Sequence, residues 1–233
     1  MLLDLADVEL RIIAEFAGPA GAYGLGRVSR WMMLRKSIWR YKDGTTKLLH
    51  RALLSSALDA SLTRALKAQN FSRGLLVEMD GVVVTGSIMT QAMLGVVWLN
   101  SDVDLLAPRN ARTNCIHALL GAGFIGSGVR CTTNTETGSE YIAYAFDNIA
   151  GKRAVDLLVG PQDETSSVSW MTELSDLVIC ASFFDGKKWV IVDPAKSLYG
   201  VTETSELNRP SERAYAVRLY RREKFLARGV KFV

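Results

Sequence analysis

The sequence predicts an α/β (α+β) fold in which a mixed sheet is flanked by helices and preceded by a small helical segment. Three observations lead to this prediction. Residues 4–68 place apolar side chains mostly at helical spacing. From Gly74 onward, short apolar runs alternate with turns rich in glycine and aspartate, which is typical of strands. The chain then ends in a basic helical pattern, Arg209 to Arg228.

The N-terminal part is predicted to consist of helices separated by breaks. Asp4 to Ala17 has helical periodicity, and the following Gly18-Pro19-Ala20-Gly21 is expected to end that helix. A basic helical pair with a tryptophan stripe then leads to Gly44, and Thr45 to Ala68 forms a longer amphipathic helix. We therefore expect a helical segment over 1–44 and a main domain over 45–233, which includes the C-terminal basic helix.

The main domain is predicted to alternate strands and helices. Leu75–Glu78 and Val82–Val84 are predicted as strands on either side of an Asp80-Gly81 turn. The later predicted elements are a helix at 88–95, a strand through 102–105 closed by Pro108, a helix Thr113–Leu120, strands Tyr141–Phe146 and Arg153–Val159, a hairpin joining Leu177–Phe184 to Trp189–Val192, and the C-terminal helix.

Composition favours a soluble intracellular protein. The chain has 233 residues, of which 48% are hydrophobic, so it can bury a substantial core. It has no apolar run long enough to cross a membrane, and its first residues lack the positive charge of a signal peptide. Its three cysteines are scattered, which suits free thiols in a reducing compartment. We expect location in the cytoplasm or nucleus, of a host cell if the protein is viral, and no membrane partner.

The net charge of +4 is unevenly distributed. Residues 27–51 and residues 207–233 each contain eight lysines and arginines, and the stretch between them is net acidic. One interpretation is that these basic segments bind an anionic partner such as a nucleotide or a nucleic acid. The other is that they are solvated helix faces that pair with the acidic middle.

Two carboxylates in one predicted strand are the clearest chemical signal. Asp102 and Asp104 lie two residues apart, so both leave the sheet on the same face, while Val103 and Leu105 point into the core. Two carboxylates aimed at one point repel each other unless a cation neutralises them. Mg²⁺ or Mn²⁺, the usual partners of nucleotide phosphates, would suit this pair.

A glycine-serine turn and a third acid extend this candidate site. Gly86 lets a ligand approach the backbone closely, and Ser87 stands at the start of a helix, where free N–H groups attract phosphate. Taken alone, Ser87 is better explained as a simple N-cap of the helix that follows. Asp156 lies within the apolar strand Ala154–Leu158, where an isolated carboxylate is costly, and a metal site would account for it.

Together, Gly86-Ser87, Asp102-Val103-Asp104 and Asp156 resemble the signature of the nucleotidyltransferase (polymerase-beta-like) superfamily, over roughly residues 74–160. The resemblance implies a nucleotidyltransferase-like fold. It also implies that Gly86 and Ser87 contact phosphates, that Asp102 and Asp104 bind metal, and that Asp156 is the third ligand or the base. The stretch is similar to uncharacterised members in large DNA viruses and fungi. The interval from Ser87 to Asp102 is longer than in many members, and no clear nucleobase-binding helical domain follows Asp156.

A second resemblance lies at the N-terminus. Leu5 to Phe16, with Val28-Ser29-Arg30-Trp31 and Ser37-Ile38-Trp39, resembles an F-box, although Ala6 stands where that family usually has proline. An F-box implies a Skp1-type adaptor as partner. The alternative is a helical cap packed on the sheet.

These observations favour an enzyme, with Asp102, Asp104 and Asp156 as catalytic residues and metal ligands. The expected reaction moves a nucleotidyl group from an NTP to a hydroxyl of a nucleic acid, a protein or a small molecule, with Mg²⁺ or Mn²⁺ as cofactor. The alternative is a non-catalytic F-box-type adaptor that retains the fold as a binding module. Binding of nucleic acid by the basic helices alone is a third hypothesis.

Overall fold

A computed structural model describes residues 16–24, 45–99, 101–133, 140–161, 175, 177–203 and 212–233. Most of the predicted segment 1–44, including nearly all of the F-box-like residues and the basic residues 27–44, lies outside these ranges. Among the helices of the described residues, none is both long and apolar enough to cross a lipid bilayer.

Seven α-helical segments lie within the described residues. They are α1 (16–24), α2 (Thr45–Ala68), α3 (Arg73–Glu78), α4 (Gly86–Leu94), α5 (Arg112–Gly121), α6 (Pro194–Ser197) and α7 (Glu212–Ala227), and Arg109–Ala111 and Val178–Ala181 form 3₁₀ turns. The strands are β1 (Val83–Thr85), β2 (Val103–Ala107), β3 (Ile125–Thr133), β4 (Glu140–Asp147), β5 (Arg153–Val159), β6 (Phe183–Phe184), β7 (Trp189–Val190), β8 (Val201–Thr202) and β9 (Lys231–Phe232).

The main sheet has seven strands in the order β3-β4-β5-β2-β1-β6-β7. Only the central pair, β2 with β5, is parallel among its described pairs, and the others are antiparallel. β8 and β9 form a separate parallel pair. This mixed sheet with flanking helices confirms the predicted α+β fold class.

The two faces of the sheet have different roles. On one face, residues of α2, α3, α4 and α5 pack against the apolar residues of the central strands, including Val103, Leu105 and Leu157, which are all fully buried. This confirms that Val103 and Leu105 point into the core. The opposite face carries a smaller cluster in which Leu106 packs with Val83, Tyr141 and Phe183. Because alternate strand residues share a face, Asp104 lies on the same side of β2 as Leu106.

Several predicted elements agree with the structure. The predicted bounds of α2 and β5 match those observed, and the predicted helices 88–95 and Thr113–Leu120 correspond to α4 and α5. The hairpin across Asp185-Gly186 also forms, as β6 and β7, but the predicted strand from Leu177 is shorter because residues 178–181 form the 3₁₀ turn.

Two predictions are wrong. Leu75–Glu78 forms helix α3 rather than a strand, because Ser72 caps it by accepting a hydrogen bond from Gly74 N at 3.2 Å while Leu75 and Leu76 pack into the core. Asp80-Gly81 is therefore a helix-to-strand turn and not a hairpin turn. The predicted helix break over residues 18–21 does not form, since residues 16–24 are helical. The backbone departs from helical geometry only at Gly18 among the described glycines of this segment, where φ is 70°.

Candidate functional site

The centre of the sheet places two of the predicted site residues side by side. Asp104 on β2 is the register partner of Asp156 on the parallel strand β5, and of Thr85 on the antiparallel strand β1. Asp102 lies one residue before β2 begins. All three carboxylates are half-buried, and one oxygen of each lies within 4.8 Å of the others. The structure thus brings together the three acids that the sequence singled out.

Gly86 makes room for this cluster. Its φ is 70°, and a Cβ at this position would lie 2.0 Å from Asp104 Oδ2. The sequence suggested that the missing side chain admits a ligand, whereas the structure shows that it admits the Asp104 carboxylate. The backbone N–H of Ser87 donates a hydrogen bond to Asp104. The carboxylate therefore sits against the N-terminus of α4, where the helix dipole favours negative charge.

Asp104 is perturbed by its surroundings. The pKa of Asp104 is raised from its ordinary value of 3.8 to about 7, first because burial disfavours the charged form, and then because of the charges of Asp102 and Asp156. Arg221 on α7 and the Ser87 N–H act in the opposite direction. A group of carboxylates held in mutual repulsion is a donor set that fits a hard divalent cation.

The hydroxyl of Ser87 is paired within the protein. Its Oγ lies 2.6 Å from Ser101 Oγ, and both serines are buried. This contact ties the start of α4 to the residue that precedes Asp102. Since a hydroxyl offers one donor and two acceptor positions, the pairing with Ser101 leaves Ser87 further hydrogen-bonding capacity.

Asp156 has a partner on its own strand. Arg153 Nε donates to Asp156 Oδ1, in an ion pair whose side chains are 43% and 35% exposed. The contact keeps one carboxylate oxygen engaged and does not involve Oδ2. At this exposure the pair contributes little to stability, so we interpret it as orienting the carboxylate.

A cavity of about 300 Å³ opens onto the cluster. Its walls include all five predicted site residues, Gly86, Ser87, Asp102, Asp104 and Asp156. They also include Arg221, Lys224 and Phe225 of α7. The same cavity therefore presents carboxylates on the sheet and cationic groups on the C-terminal helix.

Arg221 and Lys224 were not predicted as site residues. Both belong to the basic segment 207–233, and nothing local distinguishes them from their neighbours Arg218 or Arg222. A signal existed for Arg221 alone, which lies four residues before the buried Phe225 and therefore on the same helix face.

Comparison with known proteins gives weak similarities. No family model and no curated protein matches the sequence. A structure of a CCA-adding enzyme with CTP is 16% identical, with a TM-score of 0.38, over 62% of this chain and 36% of that chain. A structure of Cid1 with the UTP analogue UMPNPP is 17% identical, with a TM-score of 0.26, over 50% of this chain and 37% of that chain. This chain thus spans little more than a third of either protein, and neither similarity carries an argument about activity.

Proposed function

We propose that this chain is a metal-dependent nucleotidyltransferase, which moves a nucleotidyl group from an NTP to a hydroxyl acceptor on a nucleic acid, a protein or a small molecule. The observation that carries the proposal is the convergence of Asp102, Asp104 and Asp156 in a cavity that also contains Arg221 and Lys224. Carboxylates that bind a divalent cation, together with side-chain cations that bind phosphate, form the arrangement on which phosphoryl-type transfer depends.

Asp102, Asp104 and Asp156 are the residues that would hold Mg²⁺ or Mn²⁺. The fit rests on the three carboxylates, whose oxygens lie within 4.8 Å of one another, and on the raised pKa of Asp104, which a bound cation would lower. When bound, the metal supplies positive charge that stabilises the entering and leaving oxygens of an in-line displacement.

In the proposed reaction, the acceptor oxygen forms a bond to the α-phosphorus of the NTP. The bond from that phosphorus to the oxygen bridging to the β-phosphate breaks, and pyrophosphate leaves. The proton of the acceptor hydroxyl passes to a base. We assign Asp156 as either the third metal ligand or this base, because Arg153 engages its Oδ1 and leaves Oδ2 for one of the two roles.

The remaining residues would hold the phosphates. We assign Gly86 and Ser87 to phosphate contact, as the turn at the start of α4 borders the cavity. Arg221 and Lys224 lie across the same space and offer charge-assisted hydrogen bonds to a polyphosphate. Their charges also favour an anionic substrate over a neutral one.

Release of pyrophosphate from each NTP, in the presence of Mg²⁺ and of RNA, protein or small-molecule acceptors, tests the proposal. The isosteric variant D102N/D104N should lose at least about 100-fold in rate, since both metal ligands are removed. Asp80→Asn is a matched control, because Asp80 is exposed in a turn outside the cavity and its loss should leave the rate unchanged. Equal rates for the native chain and D102N/D104N would contradict the proposal.

A further inference from the structure

Trp98 lies between helix α4 and the C-terminal helix α7. Its backbone N–H donates to Gln91 Oε1 on α4 at 2.6 Å, and its carbonyl accepts from Gln69 Nε2, just after α2, at 3.1 Å. The adjacent residues Val97 and Leu99 are 41% and 76% exposed, whereas Trp98 packs inward against a hydrophobic cluster. Of these three residues, Trp98 is therefore the one that anchors the chain to the core.

Gln91 links this residue to the candidate site. It is fully buried, and its amide also donates to Ser87 O at 3.3 Å. A buried amide is costly unless it is hydrogen-bonded, and Gln91 uses both its oxygen and its nitrogen. Trp98 is thus tied to the same turn of α4 whose N–H holds Asp104.

The Trp98 side chain contacts α7. The Phe225 ring meets it edge-on, with centroids 5.6 Å apart and an interplanar angle of 89°. The Arg228 guanidinium lies over its face, 4.5 Å from the ring centroid. Arg221 and Phe225 are four residues apart and share one face of α7, and Arg228 directly follows the last residue of the helix. Contacts that fix Phe225 and Arg228 therefore also fix the helix face from which Arg221 projects.

Arg228 shows that this contact is more than apolar packing. Burial lowers the pKa of its guanidinium, and the charge of Asp102 acts in the opposite direction. Within the described part of the chain, its buried Nη1 finds no hydrogen-bond partner. A buried guanidinium with an unpaired N–H group costs free energy. The Trp98 ring and the charge of Asp102 offset this cost for Arg228.

We propose that Trp98 is a positioning residue that fixes helix α7 over the acidic cluster, so that Arg221 and Lys224 line the cavity. The docking itself is independent of the reaction. Its consequence for ligand binding rests on the proposed function, in which these two cations hold the phosphates of an NTP.

Two variants of the full chain test this role. Trp98→Leu removes the aromatic face and retains the backbone hydrogen bonds, whereas Trp98→Phe retains an aromatic ring. Trp189→Leu is the matched control, since Trp189 packs on Phe184 and donates to Asp59 Oδ1 on α2. The measurements are amide hydrogen exchange over 212–227 and the affinities for Mn²⁺ alone and for each NTP with Mg²⁺.

We expect Trp98→Leu to raise exchange in α7 at least tenfold above the level in Trp189→Leu, with Trp98→Phe between Trp98→Leu and the native chain. Affinity for Mn²⁺ should change less than twofold, while NTP affinity should fall about tenfold. Equal exchange in Trp98→Leu and Trp189→Leu would overturn the docking role. Increased exchange in Trp98→Leu with unchanged NTP affinity would overturn its consequence for ligand binding. A native chain that binds Mn²⁺ but no NTP would overturn both the proposed function and the effect of Trp98 on NTP binding. The docking of α7 by Trp98 would still be decided by hydrogen exchange alone.

Discussion

The carboxylate of Asp104 occupies the space that a side chain at residue 86 would need, since a Cβ on Gly86 would lie 2.0 Å from Asp104 Oδ2. The glycine-serine turn and the strand that carries Asp104 are therefore packed against each other. Gly86 leaves room for the Asp104 carboxylate, and the Ser87 N–H donates a hydrogen bond to it.

Gly86→Ala should disrupt the site. The added methyl group meets a carboxylate on a strand in the centre of the sheet, and the positive φ adds backbone strain of about 1–3 kcal/mol. We expect a lower free energy of unfolding in urea and loss of Mn²⁺ binding. Gly121→Ala is the control, because a Cβ there has nothing within 4 Å and lies in helix α5, so it should be neutral or slightly stabilising. Native-like Mn²⁺ affinity in Gly86→Ala would contradict the packing described.

Metal affinity should depend on pH through Asp104. Its folded-state pKa of about 7 exceeds its ordinary value, so the metal-free folded state binds the proton more tightly than the unfolded chain does. Its contribution to the free energy of unfolding is therefore greatest at low pH and decreases as pH rises through about 4 to 7. Because a metal ligand must be deprotonated, Mn²⁺ affinity should rise over the upper part of this interval and level off above it.

Calorimetry from pH 5.5 to 8, on the native chain and on Asp104→Asn, checks this dependence. The variant should show weak binding with little dependence on pH. A native affinity that is the same at pH 5.5 and pH 8 would show that the carboxylate does not titrate in this range.

Arg221→Gln should separate the metal from the nucleotide. Arg221 lines the cavity, and its positive charge lowers the pKa of Asp104. The same charge repels a metal ion bound to the acids, and in the proposed function it also attracts the phosphates of the NTP. We expect unchanged or tighter Mn²⁺ binding and an NTP affinity about tenfold weaker, as for the loss of one charge-assisted hydrogen bond. Arg222→Gln, whose guanidinium lies over the Phe232 ring, should change neither affinity. Equal NTP affinities in the two variants would remove Arg221 from the binding site.

Thr85→Val should destabilise the wall of the cavity. Thr85 Oγ1 shares its one proton between the carbonyl oxygens of Cys180 and Ser182, at 2.8 and 3.0 Å, and so holds the 3₁₀ turn at 178–181 beside β1. Valine has the same shape as threonine but no hydroxyl, so the carbonyls of Cys180 and Ser182 lose this hydrogen-bond partner. We expect the free energy of unfolding to fall by about 1–3 kcal/mol. Thr63→Val is the control, because it removes an exposed hydroxyl on α2. Its free energy of unfolding should stay within about 0.5 kcal/mol of the native value. Urea denaturation of the two variants compares these costs, and equal values would contradict this role of Thr85.

Much of the fold and of the acidic cluster could be predicted because the signals are local. Strand alternation predicts that Asp102 and Asp104 leave one face, and the apolar neighbours of Asp156 mark it as a residue that needs a partner. The pairing of β2 with β5, which places Asp104 opposite Asp156, depends on contacts between distant parts of the chain. The roles of these residues in binding and catalysis remain predictions.

The elements that were missed depend on packing or on weak local signals. Leu75–Glu78 has the apolar content of a strand, which led to the wrong prediction. Ser72, which caps the helix, is a local signal in the sequence, but it is weaker than the apolar run that follows it. Strand β3 has Gly126 and Gly128 among its first four residues, a pattern typical of a loop, and its pairing with β4 is what makes it a strand. The position of α7 over the cavity depends on contacts between distant parts of the chain, such as the packing of Phe225 with Trp98 and in one cluster with Met93 and Leu177, which no local pattern encodes.

Nearly all of the F-box-like segment and the basic residues 27–44 lie outside the described residues, so the adaptor hypothesis and nucleic-acid binding through 27–51 remain predictions. The C-terminal basic segment is partly described, and there Arg221 and Lys224 face the cavity. An NTP is therefore a better first ligand to test than a nucleic acid.

Calorimetric titration of the four NTPs into the native chain and into D102N/D104N, each with and without Mg²⁺, is the measurement to make first. We expect at least one NTP to bind the native chain, this binding to require Mg²⁺, and the double variant not to bind that NTP. Binding that is independent of Mg²⁺ and equal in the double variant, or no binding of any NTP to the native chain, would contradict a nucleotidyltransferase site at Asp102, Asp104 and Asp156.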